Sequence, residues 1–169
     1  MKLPIFPPCL LLGMMLVFAG CSKHESHSAS AGHNHDHASE HTHVHAAPHG
    51  GTLIALGDHQ FNLEFILDSR LGKLTAYALD AHAENFIRLS APSLEIHVTS
   101  PAPARTLVLN AAANTATGET VGNTSQFEAS ADWLKGATGV SGSLDRIEAQ
   151  GSVFQNVSLD ISPPPAPGN

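Results

Sequence analysis

Polar and apolar residues alternate along HQFNLEFILD, where Phe61, Leu63, Phe65 and Leu67 fall on one side and Gln60, Asn62, Glu64 and Ile66 on the other. A period of two is the mark of a β-strand with one buried face. SLEIHV at 93–98 repeats it with Leu94, Ile96 and Val98 inward. Shorter apolar runs predict further strands at GTLIAL (51–56), KLTAYALD (73–80), NFIRL (85–89), RTLVLN (105–110), SQFEAS (125–130), SLDRIEA (143–149) and SVFQNVSLDI (152–161). In KLTAYALD, Tyr77 and Leu79 share one face and smaller residues the other. Turn chemistry separates the runs at Gly57-Asp58, Ser69 to Gly72 and Gln150-Gly151. Asp132 to Gly136 reads as one helical turn, capped by Asp132 and stopped by Gly136. No helical period is sustained anywhere. Eight or nine short strands predict an all-β domain over residues 49–161, an immunoglobulin-like β-sandwich, with a small barrel as the alternative. Phe61, Phe65, Tyr77, Trp133 and Phe154 are its expected large core residues.

What flanks the domain is unlike it. The tail, SPPPAPGN at 162–169, cannot continue a sheet because its prolines lack N–H donors. Residues 1–20 carry one charge, at Lys2, then an apolar run from Cys9 to Phe18 and the small pair Ala19-Gly20. That run is short of the roughly 20 apolar residues that span a bilayer and fits a signal peptide. Phe-Ala-Gly-Cys at 18–21 resembles a bacterial lipobox, although Phe18 departs from the usual Leu or Val. The resemblance implies acylation of Cys21 as the mature first residue. It also implies, with Ser22 next to it, an outer-membrane protein facing the periplasm. Removal of the leader takes Cys9 with it and leaves a single cysteine, so no intrachain disulfide is expected.

Residues 21–48 form a linker almost free of large apolar side chains, Val44 excepted, and it is expected to be disordered without metal. Nine of the 12 histidines lie between Cys21 and Gly51. His33, His35 and His37 make one H-x-H-x-H triplet and His41, His43 and His45 a second, flanked by His24, His27 and His49. In an extended chain alternate side chains point the same way, so each triplet can present its imidazoles to one ion. Imidazole suits Zn above all, with Ni, Co and Cu(II) as alternatives, whereas Ca and Mg prefer oxygen. All three methionines lie in the leader, which excludes a methionine-built Cu(I) site in the exported protein.

Charge narrows the partners. The chain carries a formal −7, with 8 Lys and Arg against 15 Asp and Glu. Nucleic acid is not an expected partner, because phosphate binding needs clustered cations. Enzyme signatures are also missing: there is no G-x-S-x-G elbow, no H-E-x-x-H and no lysine in the glycine-rich stretch 136–143. The reading is therefore not an enzyme. Within the domain, Asp80, His82 and Glu84 form D-x-H-x-E in a break between strands, and would face one way if that piece were extended. His97 shares a strand face with Glu95. A solvated loop and an exposed strand face are the plainer explanations.

The stretch HGGTLIALGDHQFNLEFILD followed by GKLTAYALDAHAENFIRL, His49 to Leu89, resembles small exported β domains associated with bacterial heavy-metal efflux systems. It also resembles modules near the start of some of their periplasmic adaptors. The resemblance implies a metal-handling accessory role and draws attention to His49, Glu64 and His82. No adaptor-type hairpin accompanies it. Together these features predict a lipid-anchored periplasmic protein that captures or buffers a divalent metal beside a cation efflux system. The alternative is a structural or protein-interaction lipoprotein whose histidines are only a spacer.

Overall fold

The alternation from residue 61 onward becomes an eight-residue strand whose odd-numbered side chains point into the protein. The computed structural model describes residues 46–165. The leader, Cys21 and the histidines from His24 to His45 lie outside the described residues. Eight strands follow in order: β1 (Thr52–Leu56), β2 (Phe61–Asp68), β3 (Lys73–Leu79), β4 (Ser93–Ser100), β5 (Arg105–Ala111), β6 (Gln126–Ser130), β7 (Val140–Ala149) and β8 (Ser152–Ile161). The domain is all-β. Its one helical element among the described residues is a 3-10 turn at Asp132–Leu134. Gly136, at φ 74°, ends that turn as expected. Asp132 does not cap it: Ala131 stands at the cap, and the Asp132 carboxylate instead accepts from Lys135 Nζ at 2.7 Å.

All eight strands belong to one antiparallel sheet, ordered β1-β2-β3-β6-β5-β4-β7-β8. The join between its halves is narrow, two residue pairs between β5 and β6, Asn110 with Glu128 and Ala111 with Phe127. The outermost strands return to one another. The Ser162 N–H donates to Thr52 Oγ1 at 3.1 Å just beyond the end of β8. The sheet is thus rolled nearly closed around a single core of Leu63, Phe65, Leu67, Leu74, Ile96, Leu109, Phe127 and Leu144, among others. The strands form one continuous sheet, which brings the architecture toward the barrel alternative.

Two local expectations change. NFIRL does not form a ladder strand. Ile87 and Leu89 are buried, but the Ile87 N–H donates to Ala78 O and the Leu89 N–H to Thr124 O, so the segment crosses between two partners and pairs along neither. Tyr77 is not a core residue. The inward face of β3 is Leu74, Ala76 and Ala78, and Tyr77 lies on the outer face opposite Glu64 of β2. Bulk suggested the wrong face, because the outer face here is itself covered.

Candidate functional site at His49 and Glu64

Glu64 has the parity of an outward residue, flanked by Leu53 on β1 and Tyr77 on β3, yet it is 0% exposed. The segment preceding β1 lies across it. The Gly50 N–H donates to Ala47 O, and Gly50 takes a φ of 73°, which turns the chain back over the sheet. Gly51 then sits so close to β2 that a Cβ there would meet the Phe65 carbonyl oxygen. Once the chain is in this position, its donors converge on the carboxylate. The His49 N–H (2.8 Å) and the Gly51 N–H (3.0 Å) both donate to Oε1, and His49 Nδ1 lies 2.8 Å from Oε2. The H-G-G motif is therefore a cradle for a buried carboxylate, and every buried side-chain polar atom among the described residues has a partner.

The imidazole is held on its faces as well. It stacks on Tyr77 with ring centroids 4.3 Å apart at 17°, and Phe86, 51% exposed, leans against it at 5.7 Å. Burial, followed by the negative charge of Glu128, pushes the Tyr77 hydroxyl above its ordinary pKa, with Lys73 opposing, so the ring beneath His49 is neutral at neutral pH. Because Oε1 is already committed as an acceptor of two backbone N–H groups, Oε2 is matched by a proton on His49 Nδ1. Neutral His49 then keeps its lone pair on Nε2, on the ring edge away from Glu64.

The D-x-H-x-E segment is not extended. Ala83 adopts a φ of 58° and its N–H donates to Asp80 O, closing a turn. Asp80 spends both carboxylate oxygens inside it, accepting from the Glu84 N–H at 2.9 Å and from Asn85 Nδ2 at 2.7 Å. The Asn85 hydrogen bond, helped by backbone N–H groups of Glu84, Asn85 and His82, holds the Asp80 carboxyl below its ordinary pKa. His82 and Glu84 are exposed on this turn. Buried Asn62 ties the turn to β2, donating from Nδ2 to Asp80 O and Ala81 O. Asn62 escaped sequence reasoning because its strand parity matched that of a solvent-facing residue.

On β4, His97 finds a carboxylate, but on β7 rather than on its own strand. Its Nε2 lies 2.8 Å from Asp145 Oδ2, and Thr106 Oγ1 lies 3.3 Å from its Nδ1. Both members of the ion pair are about half exposed on an open strand face. A cleft of about 560 Å³ lies elsewhere, between the end of β2 and Pro163–Pro165. Among the described residues no three His, Cys, Asp or Glu side chains converge as a metal site, and no helix is long and apolar enough to cross a membrane. His49 is the one candidate ligand from the histidine-rich stretch that falls within the described residues; Cys21, His24, His27, His33, His35, His37, His41, His43 and His45 fall outside them.

Comparison with protein families, with characterised proteins and with solved structures found no match.

Proposed function

We propose that the protein is a lipid-anchored periplasmic lipoprotein that captures or buffers a divalent transition metal, zinc foremost, as an accessory to cation efflux. The observation that carries this reading is the run of nine histidines within Cys21 to Gly51, in two H-x-H-x-H triplets. Its last histidine, His49, is pinned to the folded domain by a buried glutamate. The division of labour that follows is an arm that supplies ligands and a β domain that holds the end of the arm. Ni, Co and Cu(II) fit the same ligands.

Calorimetric titration of the full chain with zinc tests the reading. Substitution of the six triplet histidines by glutamine is expected to abolish most of the heat of binding and leave the β fold intact by circular dichroism. Undiminished binding in that variant would place the metal site outside the triplets, and no binding by the unsubstituted chain would reassign the protein to the protein-interaction alternative.

A further inference from the structure

We propose that His49 is a metal ligand through Nε2 and that Glu64 is its positioning residue, not a ligand. The inference rests on the metal-capture reading and specifies how the domain takes part in it. Three observations carry it. Nδ1 faces Oε2 of a carboxylate that is wholly buried and already accepts two backbone N–H groups, so neither Glu64 oxygen is available to an ion from solvent. The ring plane is fixed by stacking on Tyr77 and by Phe86. The side chain is nevertheless 37% exposed, and no hydrogen bond to Nε2 is made among the described residues. A carboxylate on one imidazole nitrogen orients the ring, sets its tautomer and strengthens the other nitrogen as a donor, the arrangement found behind many metal-bound histidines. His49 is thus a donor whose direction the fold fixes. Its ion is a borderline divalent cation that accepts imidazole nitrogen, with water in the remaining coordination positions.

Glu64→Gln tests this with little disturbance of the backbone. A glutamine carbonyl at the Oε1 position still accepts from His49 and Gly51, but its NH₂ now faces Nδ1 and must donate to it. That inverts the tautomer, placing the proton on Nε2 where the metal would bind. The measurement is a long-range ¹H–¹⁵N correlation spectrum of the imidazoles in the full chain, without and with zinc ion alone. The His49 signals are identified by their absence in His49→Gln or, if that variant does not fold, by through-space contacts of the imidazole protons with the Tyr77 and Phe86 rings. The expected result is a proton on Nδ1 before zinc and a zinc-dependent shift of Nε2. In Glu64→Gln the tautomer is reversed, and the zinc affinity read at His49 is lower by about 10- to 100-fold. If other imidazoles respond to zinc and His49 does not, this proposal is overturned and the capture reading stands. If no imidazole responds, both fall.

Discussion

At the scale of single residues, the protein's least ordinary feature is a carboxylate removed from water on the outside of a sheet. A buried carboxylate is tolerable only when its acceptors are used, and Glu64 is matched by two backbone N–H groups and one imidazole. Glu64→Ala leaves the His49 and Gly51 N–H groups without that acceptor. It is expected to cost on the order of 2 kcal/mol, measured by urea unfolding. Gly51→Ala acts from the other side of the same contact. Its new Cβ meets the backbone carbonyl of Phe65, which cannot swing away as a side chain could, so β1 must shift. A loss of about 1–3 kcal/mol is expected, together with a weaker His49–Glu64 contact, visible in the imidazole spectrum. His49 and Glu64 could each be singled out from the sequence, one for its histidine-rich neighbourhood and one for its place in a resembling motif. Their partnership could not, because alternation assigns a residue to a face without saying what covers that face. Tyr77 was misplaced for the same reason.

At the scale of elements, alternation was a sound guide wherever a strand pairs along its length. β2 and β4 lie where their inward Leu, Ile, Val and Phe residues put them. It misled at NFIRL, where an apolar period is present but the backbone bonds go to two different neighbours, information that resides in distant segments. The continuity of the sheet was hidden likewise, since it depends on two residue pairs between β5 and β6. The turn after β3 gives an element-level test. Asp80 holds that turn, and its carboxyl is depressed chiefly by the Asn85 hydrogen bond. A depressed folded-state pKa means that the charged form contributes stability. The contribution is complete above the ordinary value of 3.8 and is lost as pH falls through the lower folded value. Asp80→Asn should therefore be less stable than the native chain at pH 7, by a modest amount because the site is largely solvated. The gap should close below pH 3.8. An unchanging gap in denaturant midpoints down to the acid limit would show that the Asp80 charge is not what holds the turn.

At the scale of the whole molecule, the proposed reading divides the sequence into an export and anchoring segment, a ligand-rich arm and a β domain, of which the last is the part the structure describes. Each makes a different demand on an experiment. If Cys21 carries the anchor, as proposed, Cys21→Ala is expected to move the protein from the membrane fraction to the soluble periplasm, followed by fractionation of cells. The same variant should bind zinc with unchanged affinity, because acylation and ligation use different residues. The proposed metal capture would depend on imidazoles whose ordinary pKa is about 6.5. Only the neutral ring can ligate, so protons and the ion compete for the same lone pairs. Affinity should then be highest above that value and fall progressively as pH drops toward about 5, where most unperturbed histidines are charged. The chain's net charge moves in the same direction. Its formal −7 counts histidine as neutral, and protonation of 12 imidazoles would reverse that sign and weaken the attraction for cations. Carboxylate ligands would behave otherwise, holding the ion until they protonate at about 4. A zinc titration repeated between about pH 7.5 and 5 separates the two ligand classes. A steep loss across that range supports imidazole capture, whereas a flat profile assigns the ion to carboxylates and leaves the histidine-rich arm as a spacer that joins the membrane to the domain.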